Sequence, residues 1–330
     1  MERKKLISIV IPVLNEEENI VSCHTELNRI TTLMPQYDFE FVFTDNHSSD
    51  NTFQLLQDLA KQDSRIRAFR FSRNFGYQRS IYTGFLKAHG DAAIAFDCDL
   101  QDPPELLIDF LAEWEKGYKV VYGIRRTRQE GKVIQAVRKI FYRLVDILSE
   151  DHLPHDAGDF RLLDKCILDQ LQQIHDYKPY LRGIIASLGF AQVGIPYDRR
   201  ERQRGKSKFP LRAMFNLAID GIISQSIMPL RLATYTGLTV SFLTILGIIG
   251  YGVVHLIHHD AWPAGFTTTT ILLLFSLSLN SLFLGIIGEY LGRIYHQVKQ
   301  RPLVIIEKST EKSFEKLCAK ANDRQIHTVE

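Results

Sequence analysis

The densest run of chemistry in this chain is Asp97-Cys98-Asp99-Leu100-Gln101-Asp102. Hard divalent cations such as Mg²⁺ or Mn²⁺ take oxygen ligands and share them with phosphates. Asp97 and Asp99 are carboxylates one residue apart, and Gln101 offers a further oxygen. That spacing suits an ion held against a diphosphate, where its charge would offset the negative charge growing on a departing nucleotide. Acidic turns are common, so the run has to be read with its neighbours.

Similar polar clusters recur upstream. Ile11-Pro12-Val13-Leu14-Asn15-Glu16-Glu17 comes first, then Thr44-Asp45-Asn46-His47-Ser48-Ser49-Asp50, then Ser72-Arg73-Asn74-Phe75-Gly76. Asp45 is of a type that hydrogen-bonds a base or ribose, and Arg73 of a type that faces phosphate. Ser48 or Ser49 is equally suited to capping a following helix. Downstream lies a basic cluster: Arg199, Arg200, Arg202, Arg204, Lys206, Lys208 and Arg212. Such a cluster can anchor to lipid headgroups. The pattern Gly205-x-Ser207-Lys208, with a glycine suited to a mobile loop, favours phosphate binding by Arg202, Ser207 and Lys208.

The elements that must position these residues are legible as alternation. Strand-length apolar runs fall at Leu6–Val13, Phe39–Asp45, Ile66–Ser72, Ala92–Asp97 and Lys119–Gly123. Helical stretches separate them at Glu16–Leu33, Ser49–Lys61, Gln78–His89 and Pro104–Lys116. Near-continuous apolar strands alternating with helices predict an α/β fold with a mostly parallel, doubly covered sheet. In such sheets ligands sit beyond the carboxyl ends of the strands, so the polar clusters should converge on one cleft.

Beyond residue 231 the chain changes character. Residues 232–257 run 26 residues without a charge, enough at about 1.5 Å per residue to cross a ~30 Å hydrocarbon core. A second run spans about 267–291. Lys and Arg flank the pair on both sides and are missing from the connecting loop, which predicts a two-helix transmembrane hairpin with both termini cytoplasmic. Leu211, Phe215, Ala218 and Ile222 form an apolar stripe that suits a core-facing helix or an amphipathic helix on the membrane surface, and its place before the first span favours the latter. The expected organisation is a catalytic domain over 1–208, a juxtamembrane segment over 209–231, the two spans within 232–292, and a cytoplasmic segment over 293–330, polar and helical from Ser309. Small and polar residues, among them Asn280 and Gly288-x-x-x-Gly292, suit helix association and predict a homo-oligomer, with Asn280 facing protein. Four scattered cysteines without a C-x-x-C pair predict reduced thiols. A formal net charge of +2 gives no argument for nucleic acid.

Taken in order, I-P-V-x-N-E-E-E-N, D-x-x-S-x-D, S-R-N-F-G and D-x-D-x-Q-D-P-P-E resemble the family-2, GT-A-type glycosyltransferases. More narrowly, Val121-Tyr122-Gly123-Ile124-Arg125, Asp156-Ala157-Gly158-Asp159-Phe160-Arg161-Leu162 and Arg199-x-x-Arg202-x-x-Gly205-x-Ser207-Lys208-Phe209 resemble the polyprenyl-phosphate hexosyltransferases. That resemblance implies a GT-A, Rossmann-like catalytic domain at the inner or plasma membrane. It implies a nucleotide pocket lined by Pro12, Asn15, Glu16, Asp45 and Arg73, and Mg²⁺ or Mn²⁺ on Asp97, Asp99 and Gln101. Arg125, Arg202, Ser207 and Lys208 would grip phosphates of donor and acceptor. Asp156 would position or deprotonate the acceptor, with Asp159 competing for that role. Either aspartate has other uses, pairing with Arg161 or capping the helix after Leu163. The implied reaction is inverting transfer of a hexose, glucose from UDP-glucose first and mannose from GDP-mannose second, to a polyprenyl phosphate such as undecaprenyl phosphate. One departure stands out: the second loop of such enzymes commonly reads D-D-G-S, and here it reads Asp45-Asn46-His47-Ser48. A processive polysaccharide synthase is disfavoured, because neither Trp114 nor Trp262 sits in a Q-x-x-R-W segment. A non-catalytic scaffold is disfavoured because the acidic and basic groups are all present.

Overall fold

A computed structural model describes residues 3–126, 157–177, 179–200, 228–257 and 265–311. Asp156, Arg202, Ser207 and Lys208 lie outside the described residues, as does the amphipathic segment up to residue 227.

Strands and helices alternate through the first half as β1 (Lys5–Val13), α1 (Ile20–Thr32), β2 (Tyr37–Asp45), α2 (Thr52–Gln62), β3 (Ile66–Phe71), α3 (Tyr77–Lys87), β4 (Ala92–Ala95), α4 (Leu106–Glu115) and β5 (Val120–Arg125). Three elements follow that sequence periodicity does not reveal: β6 (Ala157–Asp164), α5 (Lys165–Gln173) and α6 (Leu181–Ser187), leading to β7 (Gln192–Tyr197). Two long helices, α7 (Met228–Ile257) and α8 (Phe266–Val298), precede a short β8 (Ile306–Ser309).

The strands form one sheet in the order β7-β5-β6-β4-β1-β2-β3-β8. β1 pairs in parallel with β2 from Lys5↔Tyr37 to Val13↔Asp45, and also with β4. β6 is antiparallel to both β4 and β5, and β8 is antiparallel to β3. The expected mostly parallel sheet is therefore present, with β6 reversed inside it. Charged residues at Asp159 and Arg161 break the apolar run of β6, and Gly194 and Pro196 do the same for β7. Proline is tolerated in β7 because, among the described residues, that strand is an edge paired with β5 alone.

Both faces are buried, as near-continuous apolar strands require. On one face Ile7, Ile9, Ile11, Phe41 and Phe43 meet Leu27 and Ile30 of α1 and Leu107 and Phe110 of α4. On the other, Val10, Val42 and Ala95 meet Ile81 and Phe85 of α3 and Leu168 of α5. Helix α3 sits so close to β1 that a Cβ at Gly84 would fall 2.1 Å from Val10 Cγ1. Only glycine allows that approach, and α3 carries the first turn that faces the cleft.

Cys23 and Cys98 are both buried in the same core cluster, so two cysteines far apart in sequence come together beneath the cleft edge. Helices α7 and α8 expose Leu238, Phe242, Leu246, Leu273, Leu277 and Leu284. Among the described residues, one stretch, Phe275–Val298, is long and apolar enough to cross a membrane. Gly237 of α7 lies against Phe283 of α8, whereas Gly288 and Gly292 face open space. Asn280, expected to face protein, is exposed on this chain, and its amide donates to the Ser276 carbonyl of its own helix at 2.9 Å. The tail read as helical from Ser309 begins instead as the end of β8, so the sheet extends beyond the expected 1–208 unit to residues 306–309.

Asp164, rather than Asp159, caps α5: its carboxylate accepts from Cys166 N at 2.9 Å, Trp114 Nε1 at 2.7 Å and Lys119 Nζ at 3.0 Å. Burial alone would raise its pKa, but those hydrogen bonds outweigh it and bring it down to about 2. A carboxylate lowered in the fold adds stability above its ordinary pKa and loses it as pH falls through the folded value. Asp164→Ala is expected to cost about 1–3 kcal/mol at pH 7. The gap in melting temperature between wild type and variant, read in detergent, should shrink as pH falls from about 4 to about 2.

Candidate active site

The loops at the carboxyl edge of the sheet are laced to one another before any ligand is considered. Asn15 N donates to Ser48 Oγ at 2.9 Å, and Asn15 Oδ1 accepts from Ser49 N at 2.7 Å. Glu16 N donates to Thr52 Oγ1 at 2.9 Å. Asn46 then ties the second loop to the third, donating to Asn74 Oδ1 at 2.9 Å and accepting from Phe75 N at 2.8 Å. Pro12 lies two residues beyond Val10, whose carbonyl accepts Phe96 N, so its missing N–H points past the end of β4 and costs no ladder bond.

Left-handed backbone clusters here: Asn15 has φ 54°, His47 φ 67° and Leu100 φ 55°. Strained backbone of this kind persists only where the surroundings hold it. His47 stands where the resembling enzymes have glycine, and its positive φ accounts for that preference. It is anchored by Nδ1, 3.0 Å from the Phe71 carbonyl.

Asp45 is wholly buried, and its Oδ1 accepts from the backbone and hydroxyl of Ser48. Its Oδ2 lies 3.4 Å from Arg70 Nη1. Both oxygens are thus engaged beneath the loop rather than offered at its surface. Arg73 is exposed and lies 4.1 Å over the Phe75 ring.

The acidic loop after β4 is clamped from the opposite end of the sheet. Asp102 is wholly buried; its Oδ1 accepts from Tyr197 Oη at 2.6 Å and Arg199 Nε at 3.2 Å. Its Oδ2 faces Arg125 Nη2 at 3.4 Å, and Arg125 Nε also donates to Tyr197 Oη at 3.1 Å. Arg200 N donates to the Gln101 carbonyl at 2.9 Å. Arg125, expected to meet phosphate, is thus first a partner of Asp102.

Asp97 opens onto the cleft, accepting from Tyr77 Oη at 2.6 Å, with Arg199 Nη2 4.0 Å away. Asp99 Oδ1 accepts from Gln101 N at 3.2 Å. Burial, reinforced by the charges of Asp102, Asp99 and Asp159, pushes the Asp97 carboxyl up to about 7 despite the Tyr77 hydrogen bond. Among the described residues no three of His, Cys, Asp and Glu converge as a ready-made cage. A cation here would rely on Asp97, Asp99, Gln101 and a ligand's own phosphates, which is how Mg²⁺ is usually held. The crowding of carboxylates around Asp97 fits that use, because a cation offsets the repulsion that raises its pKa.

Asp159 on β6 faces the same cleft from the other side. Gln78 Nε2 donates to its Oδ2 at 3.1 Å and Arg182 Nε to its Oδ1 at 3.2 Å. Arg161 is buried, donates to the Gly158 carbonyl at 2.8 Å, and leaves its Nε without a partner. Tyr77, Gln78, Arg182 and Tyr197 carry no sequence signal of their own; each matters through a partner distant in the chain.

Residues 8–172 match the family model described as glycosyl transferase family 2. The chain belongs to that family. This glycosyltransferase is 37% identical over 314 residues to the uncharacterized glycosyltransferase YkcC of Bacillus subtilis, covering 94% of this chain and 95% of the relative. It is 34% identical over 307 residues to the SfII prophage-derived bactoprenol glucosyl transferase of Shigella flexneri, covering 92% of this chain and 98% of that one. A crystal structure of glucosyl-3-phosphoglycerate synthase from Mycobacterium tuberculosis is 19% identical with a TM-score of 0.48, covering 67% of this chain and 78% of that one.

Ionising the Asp97 carboxyl costs the fold stability as pH rises from the ordinary carboxylate value to about 7, and a cation bound beside it would offset that cost. Mn²⁺ affinity measured by calorimetry should therefore weaken below about pH 7. Tyr77→Phe removes a hydrogen bond that favours the ionised form and should extend the weakening to higher pH.

Proposed function

We propose that this glycosyltransferase moves glucose from UDP-glucose to undecaprenyl phosphate at the cytoplasmic face of the inner or plasma membrane. The observation that carries this reading is the 34% identity to a bactoprenol glucosyl transferase over 92% of this chain, too much of it to leave out either long helix whole. The acidic cleft and the exposed apolar helices give that reading its physical sense. Helices α7 and α8 serve as a transmembrane hairpin with both termini cytoplasmic, and self-association of the chain runs through them.

In this reading Pro12, Asn15, Glu16 and Arg73 line the nucleotide pocket, and Asp45 supports it from beneath by holding the Ser48 turn. Asp97, Asp99 and Gln101 hold Mg²⁺ or Mn²⁺. When bound, that ion supplies positive charge beside the donor diphosphate. The acceptor is a phosphate monoester with a second pKa near ~6, so it is largely ionised at neutral pH and needs no strong base. The harder task is to bring one anion to another. Arg125, Arg202, Ser207 and Lys208 meet it by offering fixed positive charge and hydrogen bonds to the phosphates. Asp159, with both oxygens engaged by Gln78 and Arg182, serves to set the cleft wall, which leaves orientation of the acceptor to Asp156. Attack by the acceptor oxygen displaces the nucleotide in one step with inversion, and an α-linked product from the α-linked donor would refute this.

The test is transfer of radiolabelled sugar from UDP-glucose or GDP-mannose to undecaprenyl phosphate by the detergent-purified protein, with Mg²⁺ or EDTA. Label should enter the lipid fraction from UDP-glucose, vanish with EDTA, and fall about a hundredfold or more in Asp97→Asn. Label from GDP-mannose alone would reassign the sugar. Lipid labelling that survives EDTA would remove the cation from the proposal.

A further inference from the structure

The first turn of α3 is a junction. Tyr77 donates to Asp97 at 2.6 Å and Gln78 to Asp159 at 3.1 Å, so two consecutive residues hold the two acidic walls of the cleft. The next residue, Arg79, turns the other way. Its Nη2 donates to the Tyr177 carbonyl at 2.6 Å, and its guanidinium lies 4.7 Å over the Tyr177 ring.

Tyr177 is in turn fully committed to the end of α8. Its ring stacks on His296 with centroids 4.5 Å apart and planes 5° from parallel. Its backbone N–H donates to Gln297 Oε1 at 2.9 Å, while Gln297 Nε2 donates to the His175 carbonyl. One glutamine amide thus reads a donor and an acceptor of the 175–177 loop, as a short strand would. His296 and Gln297 lie in the last turn of the apolar stretch Phe275–Val298.

We infer that the C-terminal end of α8 is a positioning element for the cleft, with His296 and Gln297 acting through Tyr177 and Arg79 on the first turn of α3. The inference rests on the reading of this cleft as the transfer site. Neither residue reaches that cleft itself. Their effect is to hold Tyr77 and Gln78 where Asp97 and Asp159 need them, while the loops after β1 and β2, laced separately, are untouched. Loss of the dock therefore degrades turnover more than it weakens donor binding, since the loops after β1 and β2 stay intact.

The experiment uses the full chain reconstituted in vesicles containing undecaprenyl phosphate, with His296→Ala, His296→Phe and Gln297→Ala. Steady-state kinetics with UDP-glucose are measured alongside hydrogen exchange of peptides covering residues 77–83. At saturating Mg²⁺, His296→Ala and Gln297→Ala should lower kcat by about three- to tenfold, a larger factor than any rise in KM for the donor, and exchange in 77–83 should quicken. His296→Phe keeps a stacking ring and should restore both readouts. Unchanged exchange in the alanine variants, faster exchange without loss of kcat, or failure of phenylalanine to rescue would each overturn the inference. Wild-type protein that transfers no sugar would count against the reaction proposed above, whereas the exchange data would still decide the dock.

Discussion

A carboxylate sealed from water holds the cleft in shape. Asp102 is wholly buried, and a charge removed from water costs several kcal/mol unless its partners are good. It has three: Arg125 from β5, Tyr197 from β7, and Arg199 just beyond β7. The acidic loop, with Leu100 in a left-handed conformation, is therefore fixed by strands at the far end of the sheet. The order β7-β5-β6-β4 brings those strands round to it, and reversing β6 lets β5 and β4 point their carboxyl ends at the same space. Without that arrangement Asp97 and Asp99 would sit on an ordinary acidic turn.

The polar residues around the cleft divide by what their oxygens and nitrogens already touch. Asn15 and Asn46 spend their side chains on neighbouring loops and Asp45 spends its own on Ser48 and Arg70, so the edge of the sheet arrives at a ligand already rigid. Asp97 and Asp99 keep a face toward the cleft and bear its mutual repulsion. A site built this way has paid its ordering entropy in folding, which is the condition for electrostatic help at the moment of reaction.

How much of this was legible follows from where the deciding contacts lie in sequence. Strands β1 to β5 read clearly because each is an apolar run bounded by polar residues, and the acid pair reads clearly because its spacing is local. Strand β6 did not, since Asp159 and Arg161 face the cleft side and interrupt the pattern that would have marked it. Asp45 has the residue type for a ribose contact, but only the fold reveals that Ser48 and Arg70 hold it from below. Tyr197 and Tyr77 were invisible because a tyrosine has no motif of its own; their meaning comes from Asp102 and Asp97, brought close by the sheet. His47 illustrates the reverse: an unexpected residue whose backbone angle explains the departure.

Strand β8 changes what counts as the catalytic unit. Thr310 N donates to the Ala68 carbonyl at 3.0 Å and Ala68 N to Thr310 Oγ1 at 2.9 Å, while Ser72 N reaches the Ile305 carbonyl at 2.9 Å. Glu307 adds its carboxylate near Arg70 and His47, at the margin of the second loop. Topologically, the two apolar helices are an insertion within the sheet: the chain leaves from β7 and returns to close the opposite side. A truncated gene product ending before them would present β3 as a raw margin, its N–H and C=O groups open to any other strand. Solubility sought by removing the apolar helices would therefore trade one sticky surface for another, whereas joining residue 200 to residue 303 through a flexible tether would keep the sheet closed.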